Sequence, residues 1–198
     1  MRMTTIFHND FDDNDQIEQL VTYYLKERKI PFASHHELTS QLPNLKRNYL
    51  YAKDFAAAPI EDLVTPGKIK SSSHLMVNTS AHVYFENVGN YNFVKHELPQ
   101  NTQFSTLNTA LVLEEHETGV KLLLGGNFYG SNIELGRYDA SFGSILEIGK
   151  NGDLRSEPLL DAKLHGQVRN IQPIQVGQGE FLLVTKNNGR AQVLQYNK

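Results

Sequence analysis

Oxygen-bearing side chains fall at alternate positions, Asp10, Asp12 and Asn14, and again at Glu18, within the run Asp10-Phe11-Asp12-Asp13-Asn14-Asp15-Gln16-Ile17-Glu18. A hard cation such as calcium takes about six to eight oxygen ligands at a short, flexible radius. A tight loop that turns every second side chain inward supplies several of them from few residues. The spacing suggests an ion-clamped turn, structural rather than catalytic, leading into an apolar run over 17–25 that reads as a buried strand. The competing reading is a solvated acidic turn, in which Asp13 and Asp15 only add to the mutual repulsion.

Other chemistry-bearing stretches carry less. Glu114-Glu115-His116-Glu117-Thr118-Gly119 lacks the alternation and reads as a hairpin turn with no metal. Its His116-Glu117 pair begins like a zincin motif, but the second histidine is absent. His35 and His36 would need further convergent ligands to hold zinc, and read as exposed residues in a first helical turn. Gly125-Gly126-Asn127-Phe128-Tyr129-Gly130 has neither the ending of a phosphate loop nor dinucleotide spacing, so its glycines read as allowing a sharp loop between strands. Arg137, Tyr138 and Asp139 make the most specific polar constellation. Arg137 and Asp139 are expected to pair, with Tyr138 packed beside them. Bracing this loop is one role for the three, and ligand contact the other. Phe128, Tyr129, Tyr138 and Phe142 offer a groove lining for a glycan or peptide. No Gly-x-Ser-x-Gly elbow is present.

The elements that must position these groups are mostly strands. A helical insertion is expected over about 31–70. Ser34-His35-His36-Glu37 has capping-box form, Leu38, Leu42 and Leu45 follow, Pro43 breaks the helix and Pro59 suits a first turn. Strands follow at 75–77, 83–85, 91–98, 111–113, 120–124, 144–148, 154–158, 168–176, 181–185 and 191–196. Lys150-Asn151-Gly152-Asp153 and Asn187-Asn188-Gly189 are hairpin signals. Three segments, 10–25, 113–125 and 174–185, share a turn followed by a strongly apolar strand and then further strands. Repeated antiparallel units of this kind suggest propeller blades; a β-sandwich with chance likeness between hairpins is the alternative.

The chain has 198 residues, a net charge of −3 and no cysteine. Its length suits one domain with a substantial core. The charge offers no basic stripe for nucleic acid. Disulfides, zinc–thiolate sites and thiol nucleophiles are excluded. No apolar run reaches the roughly 18 residues of a membrane span, and the first residues lack the apolar region of a secretory signal.

The acidic loop 10–18, Pro31-Phe32-Ala33-Ser34 with Glu37-Leu38, Ile60-Glu61-Asp62-Leu63, Leu123–Gly130 and Leu135–Gly143 together resemble the C-terminal part of FG-GAP/VCBS-repeat proteins. The likeness is to the ASPIC/UnbV, cartilage-acidic-protein-like group from Bacteroidota. The Gly-Asn-Phe-Tyr-Gly and Gly-Arg-Tyr-Asp-Ala-Ser blocks are its most specific parts. The resemblance implies an all-β fold with a small helical insertion: a partial β-propeller of about three blades over 1–198, with further blades expected upstream. It implies an extracellular or cell-surface, non-enzymatic module that contacts protein or glycan. It also implies bound calcium, with side-chain oxygens from Asp10, Asp12 and Asn14, the backbone carbonyl of Gln16, and Glu18 closing the site. Asp13 and Asp15 stand where the family pattern has glycine, and Glu18 where it has aspartate. The alternative is a carbohydrate-active enzyme fragment using carboxylates of the Gly-rich region, such as Glu134 or Asp139.

Overall fold

The computed structural model describes residues 4–133 and 135–195, so Glu134 and Tyr196 lie outside the described residues. The fold is mostly β, with four antiparallel sheets. All described α-helices fall between His35 and Ser71, where the insertion is expected. Internal packing divides the chain into two compact units, Met1–Ser80 and Ala81–Lys198.

In the first unit, β1 (Thr4–Asn9), β2 (Glu18–Leu25), β3 (Arg28–Pro31) and β4 (Ser73–Val77) form one sheet in the order β3-β2-β1-β4. The first three strands are a meander. The fourth returns after the helices to lie antiparallel beside β1, with Phe7 opposite His74. This is the spatial order of a Greek key, so the helical segment serves as its long connection. β2 alternates Glu18, Leu20 and Thr22 inward with Gln19 and Tyr23 outward. The run read as a buried strand is therefore half-buried. Ile17, Tyr23, Tyr24 and Leu25 are exposed, because only one face of the sheet meets the core.

The helices α1 (His35–Gln41), α2 (Leu45–Asn48), α3 (Ala52–Ala56), α4 (Ile60–Leu63) and α5 (Pro66–Ser71) are short. The capping box forms at the start of α1: the Glu37 N–H donates to Ser34 Oγ and the Ser34 N–H to Glu37 Oε2. Pro43 separates α1 from α2, and Pro66 sits in the first turn of α5. Helices this short have little stability of their own. They hold because Leu38, Leu42, Leu45, Phe55, Ile60 and Leu63 pack with Phe7, Phe11 and Leu20 of the sheet region. His35, expected in solvent, is half-buried: its Nε2 lies 2.7 Å from the Tyr49 carbonyl and its ring meets Phe55 edge-on.

The second unit opens with the hairpin β5 (Val83–Gly89) and β6 (Asn92–Glu97). A second sheet runs β10-β9-β8-β7, from β7 (Leu107–His116), β8 (Gly119–Gly126), β9 (Ser144–Gly149) and β10 (Leu154–Pro158). A third runs β11-β12-β13, from β11 (Val168–Val176), β12 (Gly179–Lys186) and β13 (Gln192–Gln195). Both are meanders; β8 and β9 are joined by the long segment 127–143, and the acidic segment near His116 is a hairpin turn as expected, with His116 opposite Gly119. β11 lies against β7 and β8. Leu123, Leu164, Val168, Ile171, Leu182 and Val184 make the core between these sheets.

Gly125 and Gly126 are not loop glycines. They end β8, where a Cβ on Gly126 would stand 1.7 Å from the Thr106 carbonyl oxygen and one on Gly125 would stand 3.0 Å from Val168. Close approach, not a sharp turn, is what they provide. Gly126→Ala should therefore destabilise the protein by about 3 kcal/mol. Gly67→Ala, in α5 with nothing within 4 Å of the added methyl, should stabilise by about 0.5–1 kcal/mol through reduced chain entropy. Thermal denaturation of the two variants checks both signs.

Candidate functional site

Strand pairing builds the acidic loop. Asn9 of β1 lies opposite Glu18 of β2, so residues 10–17 must bridge the ends of adjacent strands. Phe11 is buried in the core of the first unit, which fixes the loop from beneath and leaves its neighbours Asp10 and Asp12 on the same side of the bend. Glu18 continues the inward face of β2 and is buried too, and its Oε2 accepts the Phe11 N–H at 2.9 Å. Carboxylate oxygens of Asp10, Asp12 and Glu18 converge to within 4.8 Å of one another.

Backbone donors shape the rest. The N–H groups of Asn14 and Asp15 donate to the two Asp10 carboxylate oxygens at 3.2 and 3.0 Å. Asn14 Oδ1 accepts the Gln16 N–H at 2.7 Å. Of the expected ligands, then, three carboxylates are brought together, while Asn14 and Gln16 are tied to each other on the exposed arm of the loop. Asp13 and Asp15 both take φ of +62°, the left-handed region that glycine enters most easily and aspartate better than most residues. Partial burial pushes the Asp10 carboxyl up, but the Asn14, Asp15 and Asp13 N–H groups and the Lys68 charge outweigh this and hold it below its ordinary 3.8.

The donor set fits a hard divalent cation. The chemistry is all oxygen, as calcium requires, and Asp12 Oδ1 is buried with no hydrogen-bond partner. A buried carboxylate oxygen without a partner is costly, and a cation is the simplest group to satisfy it. Two neighbours were not evident from the sequence. Phe11 sits between the acids at the alternate position, a signal readable as an inward apolar residue. Lys68 of α5 donates to the Asp10 carbonyl at 2.7 Å and to the Asp13 carboxylate; nothing near residue 10 in sequence could announce it.

The second polar constellation lies in the segment after β8. Phe128 and Tyr138 form an antiparallel bridge, each N–H donating to the other's carbonyl at 2.9 Å. Arg137 and Asp139 do not pair as expected. Both turn to Tyr129 instead: the Arg137 guanidinium stacks over its ring at 5.1 Å, and the Tyr129 hydroxyl donates to Asp139 Oδ1 at 2.5 Å. The bridge explains this, since with 128 opposite 138 it sets 129 opposite 137 and diagonal to 139. Tyr138 remains exposed.

Beneath this group, Asn127 is fully buried at a φ of +83°. Its Oδ1 accepts the Ser141 N–H at 3.0 Å, and its Nδ2 donates to the Ser141 and Gly166 carbonyls at 2.8 and 3.1 Å. Asn108 Nδ2 ties the Asn127 carbonyl to that of Val168, each at 2.9 Å. Burial, the bond to Asp139 and the Asp139 charge raise the Tyr129 hydroxyl above its ordinary 10.0, against Arg137, which lowers it.

Comparison with protein-family models, with curated proteins and with solved structures finds no match to this chain.

Two outcomes follow from the Asn127–Tyr129 network. Asn127→Ala leaves buried backbone groups unpaired and should cost about 2–4 kcal/mol in denaturant melts, whereas Arg137→Ala on the surface should cost about 1 kcal/mol or less. Because the Tyr129 pKa is raised in the folded state, its contribution to stability is complete below pH 10.0 and is lost as pH rises through the folded value. Burial also raises Tyr49 and Tyr84, so ultraviolet titration should show several tyrosines ionising above 10.0, with one fewer in Tyr129→Phe.

Proposed function

We propose that this chain is a non-enzymatic binding or scaffold module of partial β-propeller type, stabilised by calcium at the acidic loop, that contacts protein or glycan at a cell surface. The observation that carries the reading is the placement of the three repeat segments. Each supplies the second strand of its own antiparallel meander: β1-β2-β3, β7-β8-β9 and β11-β12-β13. Radial repetition of such meanders is how a propeller limits its exposed sheet edges. The likeness to FG-GAP/VCBS-repeat proteins supports the surface location.

In this reading Asp10, Asp12 and Glu18 hold the ion, with Asn14 and Gln16 supplying the remaining protein oxygens. Calcium neutralises the converging carboxylates; the residues keep Phe11 seated and so fix the bend between β1 and β2. The loop segment with Arg137, Tyr138 and Asp139 is the recognition surface. It suits that role because it is rigid below, through Asn127, and aromatic above.

Titration of calcium into chelator-treated protein tests the metal. At millimolar calcium the melting temperature should rise by about 5 °C or more, and Asp12→Asn and Glu18→Gln should each lose most of the rise. An unchanged melting temperature in the parent protein sinks the calcium reading. For recognition, glycan and peptide arrays probed in calcium should give signals that fall about tenfold in Tyr138→Ala, as loss of one stacked aromatic contact predicts. Silence on both arrays overturns it.

A further inference from the structure

The loop over 10–18 carries five carboxylates, Asp10, Asp12, Asp13, Asp15 and Glu18. Among the described residues, Lys68 is the one lysine or arginine in an ion pair with any of them. It is 58 residues away in sequence from Asp10, and its position is built rather than incidental. Asn9, the last residue of β1, donates from Nδ2 to the Lys68 carbonyl at 2.9 Å and to Ser71 Oγ at 3.1 Å. Ser71 Oγ in turn donates to the same carbonyl at 3.2 Å. The helix carrying Lys68 has no fully buried residue; Ile69 packs partly buried against the core, and these polar contacts hold the helix beside it. The Lys68 side chain is only 25% exposed, whereas that of Asp13 is 81% exposed.

The ammonium takes the Asp10 carbonyl and the Asp13 carboxylate, not the converging oxygens of Asp10, Asp12 and Glu18. A divalent cation among those three would draw on different oxygens from the lysine, while the two positive charges oppose each other. We propose that Lys68 is the loop's internal counter-ion. It keeps the turn folded when no divalent cation is bound, and it lowers the loop's demand for that cation. The inference rests on the calcium reading above, to which it adds a setting of ion dependence by helix α5.

The test compares parent protein, Lys68→Met and Lys68→Arg by thermal melting in chelator and in millimolar calcium, followed by far-ultraviolet circular dichroism. In chelator Lys68→Met should melt below the parent. Its calcium-induced rise should be about twofold that of the parent or more, because the ion now supplies neutralisation the lysine had supplied. Lys68→Arg, which keeps the charge, should track the parent. A variant that is unfolded in chelator and folded in calcium also supports the proposal. An equal or smaller calcium response in Lys68→Met overturns it while leaving the calcium reading intact, and so does a variant that folds in neither condition. Absence of any calcium response in parent and variant alike overturns both.

Discussion

The hairpin register that sets Asn9 opposite Glu18 forces a carboxylate into the inward row of β2, and much of the first unit is arranged around that placement. Glu18 shares its face with Leu20 and Thr22, and its carboxylate is held there by the Phe11 N–H. Phe11 descends into the same core and offers its N–H to the Glu18 carboxylate. Fixing Phe11 then fixes Asp10 and Asp12, and three acids meet within a few ångströms. Repulsion among them would open the turn unless other groups answered it. The chain answers with peptide N–H donors for Asp10, with the Lys68 ammonium, and, in our reading, with a cation at the oxygen that has no donor.

The second unit solves a similar geometric problem with a neutral residue at its base. A long segment must leave β8, double back and enter β9. It is held by a buried amide, Asn127, which binds Ser141 near the end of the excursion and Gly166 ahead of β11, and by Ser105, whose hydroxyl donates to the Tyr138 carbonyl. The amide has donors and an acceptor in one plane, so it satisfies the buried peptide groups and needs no ion. Above it, the Phe128–Tyr138 bridge aligns Arg137, Tyr129 and Asp139 into a stack. The acidic loop draws its order from charges that must be balanced; this segment draws its order largely from a neutral core residue.

Much of the first loop was legible because its chemistry is local. Alternate oxygens predict convergence, and the structure brings Asp10, Asp12 and Glu18 together. The capping box at Ser34 and the Pro43 break were equally readable, since a helix terminus is decided within four residues. What was not legible is long-range. Lys68 reaches Asp10 only after the helices have folded over the sheet, and β4 joins β1 from the far side of that segment. Arg137 and Asp139 lie two residues apart on one face, but the bridge sets Tyr129 opposite Arg137 and within reach of Asp139, so both engage the tyrosine instead. Gly125 and Gly126 read as loop glycines because a sequence does not disclose how closely another backbone passes.

The Greek-key order of the first sheet has a consequence for the way that sheet comes apart. Joining β1 to β2 closes a short loop, whereas joining β1 to β4 closes one that spans the whole helical segment, and the entropy of closure grows with that length. β4 gains little apolar burial in return, since every residue from Ser73 to Val77 is exposed. The outer ladder is thus the least recompensed pairing in the unit, and the low-energy opening of the sheet is a peeling of this edge. Such an excursion would bare one side of the β1 backbone while the acidic turn, seated by Phe11 and Glu18 from the opposite side, stays closed.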